Sequence, residues 1–210
     1  QKPSSVIEAM NDYYQNSNAN VHRAVHTLAG EATEGYESCR SALKNRYNAN
    51  KAIITSGTTE AINLVAHAWG RANLSKGDAI ILTEMEHHSD IVPWQMLAQE
   101  IDIELRYIPV QKDFTLDMDL FEAAMEGAKL VCVVHISNVL GVCNPIEKIV
   151  GIAKKNNAKV LLDAAQSAPH QEMDFQNLGV DFMAFSAHKM CGPTGIGALL
   201  VNDESFDEMQ

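Results

Sequence analysis

Lys189 lies directly after an apolar run and before a glycine-rich turn, a setting in which an amine can act as a nucleophile. The apolar run is 182–186 and the glycine-rich stretch is 192–197. An amine held among apolar groups loses some proton affinity, and such a lysine can form a Schiff base. Ser186 and His188 are spaced to reach a phosphate beside it. The glycine spacing matches neither a Walker loop nor the dinucleotide fingerprint, and a surface lysine in a turn is the alternative interpretation.

A carboxylate ends another apolar run. Asp163 is the last residue of the run 159–163, and Gln166 follows three residues later. A buried carboxylate is unfavourable unless a cation meets it, and a protonated pyridine nitrogen is one such partner. Gln166 could donate a hydrogen bond to a ring oxygen. The alternatives are an aspartate that caps a loop or binds Mg²⁺.

The segment 55–60 has the composition of an anion site. It reads Thr-Ser-Gly-Thr-Thr-Glu, follows an apolar run and opens a helical pattern. Free N–H groups at the start of a helix, together with the hydroxyls of Thr58 and Thr59, can bind a phosphate. Taken alone, the segment is better explained as a simple helix N-cap than as a phosphate site.

Histidine and asparagine side chains follow two further apolar runs. His87 lies in the segment 84–90, and Asn138 comes directly after the run 130–137. An imidazole here could stack on a flat ring or move protons, and Asn138 could bind a carboxylate or a ring oxygen. The pair His87–His88 could instead lie in a solvated turn or bind a metal adventitiously, although it lacks the H-E-x-x-H spacing of zinc sites. Asn138 could be a plain turn residue.

The elements that must position these residues are short apolar runs that alternate with amphipathic segments. The runs are 52–55, 79–83, 104–109, 130–137, 159–163, 182–186 and 197–201, and the helical segments are 58–69, 92–99, 116–125 and 145–156. This rhythm predicts an α/β fold with a mainly parallel sheet of about seven strands flanked by helices. The short glycine-rich connection between the last two runs allows one strand to run antiparallel.

Ligands of open α/β sheets bind beyond the carboxyl ends of the strands. The five polar segments therefore point to one site that offers a phosphate cradle, a ring stack, a pyridinium carboxylate, an oxygen donor and a Schiff-base lysine. Each has a structural alternative when taken singly. Their combination predicts the cofactor pyridoxal 5′-phosphate (PLP).

Composition excludes several other classes of protein. The 210 residues carry a formal net charge of −11, which argues against binding to nucleic acid or to an anionic membrane surface. The four cysteines form no C-x-x-C pair, a pattern that favours a reducing, cytoplasmic location. The sequence predicts no metal site and no membrane span.

Five motifs give the sequence a specific resemblance to a known family. They are S-G-T-T-E, M-E-H-H-S-D-I-V-P-W-Q, H-I-S-N-V-L-G, L-L-D-A-A-Q-S and S-A-H-K-M-C-G-P-T-G-I-G. They resemble the fold-type I PLP enzymes of aminotransferase class V, and within them the SufS-type cysteine desulfurase and selenocysteine lyase group. The resemblance covers nearly the whole chain and implies that residues 1–210 are the PLP-binding large domain, with residues 1–50 contributing to the substrate site.

The resemblance also implies roles for individual residues. Lys189 would hold PLP covalently and remove the substrate's α-proton, Asp163 would keep the pyridine nitrogen protonated, and His87 would stack on the ring and act as an acid or base. The remaining roles are hydrogen bonding to the phenolic oxygen by Gln166, phosphate binding by Thr58, Thr59, Ser186 and His188, cofactor or substrate binding by Asn138, and substrate contact by His26.

The implied activity is removal of sulfur from L-cysteine, which gives alanine and an enzyme persulfide for iron–sulfur cluster assembly. The implied partners are L-cysteine or L-selenocysteine, a sulfur-acceptor protein and a second copy of the chain. The start without Met and the end within an element predict a fragment, with the nucleophilic cysteine and the carboxylate-binding arginine beyond Gln210. The alternatives are a selenocysteine lyase, a kynureninase-like hydrolase, a transaminase, an epimerase or a non-catalytic scaffold.

Overall fold

A seven-stranded sheet forms the centre of the computed structural model, which describes residues 2–23 and 26–210. The strands are β1 Lys51–Thr55, β2 Ala79–Thr83, β3 Glu104–Ile108, β4 Ala128–Val134, β5 Lys159–Asp163, β6 Phe182–Ser186 and β7 Gly197–Val201. They lie in the order β1-β7-β6-β5-β4-β2-β3. Strand β7 is antiparallel to β1 and β6, and the other neighbouring pairs are parallel. The predicted fold, a mainly parallel sheet with one reversed strand, is confirmed.

Helices cover both faces of this sheet. They are α1 Ser4–Asp12, α2 Thr27–Tyr47, α3 Thr58–Leu64, α4 Arg71–Asn73, α5 Val92–Ile101, α6 Met118–Ala123, α7 Ile146–Lys155, α8 Phe175–Leu178 and α9 Asp203–Asp207. A π-helical turn, Val65–Gly70, joins α3 to α4, and another, Tyr13–Ser17, continues α1. The four predicted helices correspond to α3 with its continuation, α5, α6 and α7. Within the described ranges, no helix is both long enough and apolar enough to cross a bilayer.

Strand β4 differs from its prediction at both ends. It begins at Ala128, two residues earlier than expected, because Ala128 pairs with Ala79 of β2. It ends at Val134, three residues before the predicted end, because the chain then turns back on itself. In that turn the Ser137 N–H donates to the Val142 carbonyl at 3.0 Å.

The core is divided between the two faces of the sheet. On one face, Ile81, Val133 and Leu162 pack beneath α6, α7 and α8. On the other face, Leu82 and Leu161 pack beneath α3 and α5. Strands covered on both sides carry apolar residues at successive positions, which explains why their sequences form unbroken runs.

The topology brings the ends of β1, β2, β4, β5 and β6 to one edge of the sheet, where β3 also ends. Strands β2, β4, β5 and β6 are parallel, so Thr83, Val134, Asp163 and Ser186 end at the same edge. Strand β1 also ends there, at Thr55, because two antiparallel pairings relate it to β6 through β7. The predicted site residues follow these ends directly.

Gly197 allows β7 to approach the turn that follows β1. A Cβ atom at this position would lie 2.5 Å from the Phe185 carbonyl oxygen and 2.6 Å from the Gly57 Cα. Both are backbone atoms, so no side chain can move aside. We expect Gly197→Ala to lower the free energy of unfolding in urea by about 1–3 kcal/mol, the usual cost of overpacking.

Gly151→Ala is the matched control for this prediction. Gly151 lies in α7, and a Cβ atom there would have no heavy atom within 4 Å. The control should be neutral or more stable by up to about 1 kcal/mol, because alanine favours the helix. Equal stabilities of the two variants would contradict the close backbone approach at Gly197.

Candidate active site

A cavity of about 160 Å³ opens at the edge where the strands end. Its walls comprise Thr58, Thr59, His87, Ser89, Val134, Asn138, Asp163, Ala165, Gln166, Ser186, His188 and Lys189. All nine residues that the sequence suggested for cofactor binding are among them. Three others, Ser89, Val134 and Ala165, were not predicted. His26 does not line the cavity; it caps α2, where its Nδ1 accepts the Ala29 N–H at 3.3 Å.

The turn before α3 forms one end of this cavity. The Thr58 N–H donates to Ser186 Oγ at 2.8 Å, and the hydroxyls of Thr58 and Ser186 lie 2.7 Å apart. The Glu60 carboxylate accepts the Ser56 N–H, which fixes the start of the turn. Gly57 has a φ of 157°, and a Cβ atom there would lie 3.2 Å from Ser186 Oγ. Hydroxyls and helix-start N–H groups held in this way suit an oxyanion such as a phosphate.

Asp163 places a buried carboxylate in the cavity. The residue is 3% exposed, and its Oδ1 accepts the Ala165 N–H at 2.9 Å. Burial raises the pKa of Asp163, against the opposing effects of the Ala165 N–H, of Lys189 and of His87. A cation beside this carboxylate would offset the cost of keeping it charged away from water.

Lys189 closes a tight turn after β6. The turn Ala187–Lys189 is a single 3₁₀ element, and the N–H groups of Met190 and Gly192 both donate to the Ala187 carbonyl, at 2.9 and 2.8 Å. The half-buried Lys189 is close enough to Asp163 to lower the pKa of that carboxyl group. The site therefore combines an amine and a buried carboxylate in one cavity.

Ser89 fixes the ring of His87. The Ser89 N–H donates to His87 Nδ1 at 3.2 Å, and the Ser89 hydroxyl lies 2.8 Å from the same nitrogen. Because Nδ1 accepts the backbone N–H, the neutral ring carries its hydrogen on Nε2. His87 also lowers the pKa of Asp163, which places the imidazole near that carboxylate.

Asn138 lies on a short loop beside the cavity. Ser137, which precedes it, is 3% exposed, and its hydroxyl accepts the N–H groups of Val139 and Leu140 at 3.3 and 3.1 Å. These bonds hold the loop while Asn138 stays exposed and free to bind a ligand. Gln166 is half-buried on the loop after β5 and lines the same cavity.

The cysteines lie outside this site. Cys132 is fully buried in β4, whereas Cys39, Cys143 and Cys191 are exposed, and none of the four lines the cavity. Among residues 2–23 and 26–210, no group of three or more histidine, cysteine or acidic side chains is arranged to hold a metal ion.

A protein-family model and several known proteins match this chain. The model described as aminotransferase class-V matches residues 1–210. A probable cysteine desulfurase of Halalkalibacterium halodurans is 50% identical over 214 residues, which cover 100% of this chain and 53% of the relative. A probable cysteine desulfurase of Synechocystis is 46% identical, over 100% of this chain and 51% of the relative. The chain thus spans about half the length of the curated relatives it matches.

Solved structures share the fold. The apo cysteine desulfurase of Thermococcus onnurineus NA1 has a TM-score of 0.95 and 43% identity, over 100% of this chain and 53% of that one. A C-DES mutant with glycine covalently linked to its PLP cofactor has a TM-score of 0.88 and 25% identity, over 100% of this chain and 56% of that one. SspA in complex with cysteine has a TM-score of 0.91 and 26% identity, over 100% of this chain and 60% of that one.

Proposed function

Because this chain belongs to the aminotransferase class V family, we propose that it is the cofactor-binding domain of a PLP-dependent cysteine desulfurase. One observation carries the proposal: Lys189, the buried Asp163 and eight further polar side chains line a single cavity. The relatives described as cysteine desulfurases support the same function. The proposal concerns the whole protein, since the chain spans about half the length of those relatives.

The residues of the cavity fit PLP. The Thr58–Ser186 end would hold its phosphate together with Thr59 and His188, and Asp163 would hold its ring nitrogen. Gln166 would bond its phenolic oxygen, and Lys189 Nζ would hold its aldehyde carbon covalently. When bound, the protonated ring withdraws electrons from the substrate's α-carbon, which makes the α-proton acidic.

The chain's own groups then have defined tasks. Lys189 Nζ would remove the substrate's α-proton. Asp163 would supply a negative charge to the ring nitrogen, and His87 would contact the cofactor and donate a proton from Nε2. Asn138 would contact the substrate.

The sulfur transfer needs a thiolate from outside this cavity. In the proposal a cysteine beyond Gln210 attacks the substrate's sulfur, so that a new S–S bond forms and the C–S bond breaks. The electrons of that bond stay with the β-carbon, which takes up a proton, and return of a proton to the α-carbon completes alanine. An arginine beyond Gln210 would hold the substrate's carboxylate. Burial, Asp90 and Glu86 raise the pKa of Cys132 well above its usual range, which makes this thiol unsuited to the task.

We also propose an oligomeric state, a sulfur acceptor and a cellular location for the enzyme. It would act as a homodimer, pass its persulfide sulfur to an acceptor protein for iron–sulfur assembly, and reside in the cytoplasm. The four cysteines are all free.

Ser89→Ala tests the orientation of His87. The change removes the hydroxyl at 2.8 Å but keeps the Ser89 N–H on Nδ1. One net hydrogen bond is worth about 0.5–1.5 kcal/mol, so we expect kcat of the full-length enzyme to fall between about two- and tenfold. Ser41→Ala, an exposed site on α2, is the matched control. Equal kcat values for the two variants would show that the hydroxyl does not orient His87.

The function itself is tested by product analysis of the full-length protein. Incubation with L-cysteine and a reductant should give alanine and sulfide in equal amounts. Formation of 3-mercaptopyruvate or of racemised cysteine without sulfide would contradict the desulfurase proposal and favour a transaminase or an epimerase. Selenide release from L-selenocysteine alone would favour the lyase.

A further inference from the structure

Two acidic side chains flank His87 in the chain and have no task in the proposed reaction. Glu86 is 7% exposed and Asp90 is fully buried, and neither lines the cavity. Buried carboxyl groups are rare unless they are paired or hydrogen-bonded. The burial of these two carboxyl groups must therefore be offset by interactions with their neighbours.

Each of these carboxyl groups has one satisfied oxygen and one orphan. Glu86 Oε1 accepts the Thr83 hydroxyl at 2.6 Å, and Asp90 Oδ1 accepts the Trp94 indole N–H at 3.0 Å. Glu86 Oε2 and Asp90 Oδ2 are buried and have no partner among the described residues.

A shared proton accounts for both orphan oxygens. Glu86 and Asp90 are both buried in the short segment that follows β2, and Asp90 raises the pKa of Glu86, so the two carboxyl groups are neighbours. Two ionised carboxylates could only repel each other there, whereas one proton turns one of them into a donor for the other. Burial raises the pKa of both groups well above the usual range, and each is raised further by a neighbouring carboxylate.

Asp163 interacts electrostatically with both members of this pair. Its charge raises the pKa of both Asp90 and Glu86. The other titratable groups near the three carboxyls are Cys132, whose thiol stays neutral, and Lys189 and His87, which face Asp163 from the cavity side. A pair that shares one proton would place a net negative charge behind Asp163.

We propose that Glu86 and Asp90 form a proton-sharing acid pair that acts through Asp163 to keep the cofactor's ring nitrogen protonated. The inference rests on the proposed PLP site. Both are positioning residues, because neither lines the cavity that would hold the cofactor. The pair's single negative charge adds to that of Asp163 and so stabilises a cation at the ring nitrogen.

The test uses the full-length protein and 4′-deoxypyridoxine 5′-phosphate, a probe without the aldehyde that Lys189 needs. The ultraviolet absorbance of the bound probe, followed against pH, reports protonation of its ring nitrogen. In the double variant Glu86→Gln/Asp90→Asn both groups are neutral. Loss of a nearby negative charge disfavours the cation, so the probe's ring pKa should fall by about one unit or more.

Each single variant should behave differently from the double. In Glu86→Gln or Asp90→Asn an amide N–H replaces the shared proton, and one negative charge remains, so the probe's titration should shift little. Glu84→Gln, which changes an exposed carboxylate of the same segment, is the matched control and should not shift it. A folded double variant that titrates like the wild type overturns the proposal.

A wild-type measurement keeps the proposal testable if the double variant does not fold. Infrared spectra of the probe-bound protein at neutral pH should contain the C=O band of a buried protonated carboxyl group, and Glu86→Gln should remove it. Absence of that band in the wild type overturns the acid pair. Failure of the probe to bind the wild type contradicts the PLP site itself, which distinguishes the two failures.

Discussion

Replacing Asp163 with asparagine is expected to lower kcat of the full-length enzyme by roughly 10²- to 10⁴-fold. The amide keeps the shape of the side chain, and its oxygen can still accept the Ala165 N–H. It loses the charge that pairs with a protonated ring nitrogen, and breaking a buried ion pair costs about 3–5 kcal/mol. PLP should still bind, because Lys189 and the phosphate contacts remain.

Two measurements check this prediction together. The absorbance of the bound cofactor establishes that the variant is loaded, and alanine production gives kcat. Asp181 lies at the opposite end of the sheet, but it accepts hydrogen bonds from the Val160 N–H and from Asn202. Its replacement could therefore change the stability of the fold, which makes it unsuitable as a control. The exposed Asp119→Asn serves better and should leave kcat unchanged. Near-normal turnover of loaded Asp163→Asn would refute the role of the carboxylate.

Lys189→Ala is expected to abolish covalent attachment of the cofactor and removal of the α-proton. The methyl group offers neither a nucleophile for the aldehyde nor a base, and a positioned base alone contributes roughly 10²- to 10⁴-fold. The rate at which L-alanine exchanges its α-hydrogen in D₂O, measured by NMR, reports the proton removal without any need for sulfur chemistry.

Lys129→Ala is the control for this change, since Lys129 is exposed on β4 and does not line the cavity. It should retain both the covalent cofactor and the exchange. The free energy of unfolding of the Lys189 variant should stay close to that of the wild type. Exchange at the wild-type rate in Lys189→Ala would mean that another group is the base.

The strands of this fold could be read from the sequence because burial on both faces leaves unbroken apolar runs. Helix α2 could not, since only Ala29, Ala32 and Tyr47 of its 21 residues are buried. A helix with so narrow a buried stripe has little 3.6-residue periodicity. The short helices α8 and α9 begin at the caps Asp174 and Asn202 and are too short to give a periodic signal.

The candidate site was largely predictable because its polar residues directly follow the strands. Ala165 was missed because it acts through its backbone N–H, which carries no residue-specific signal. One sequence feature could have identified Ser89, namely its position two residues after His87. The burial of Glu86 and Asp90 could not be predicted from the sequence, because the segment 84–90 has the composition of a polar loop. The roles of His26 and of the nine cavity residues remain predictions.

The attachment site of the cofactor tests the central claim most directly. Full-length wild-type protein is loaded with PLP, reduced with borohydride and digested, and the peptides are analysed by mass spectrometry. The account predicts that the phosphopyridoxyl group is found on Lys189. A label on any other lysine, or loaded protein without a label, would contradict it.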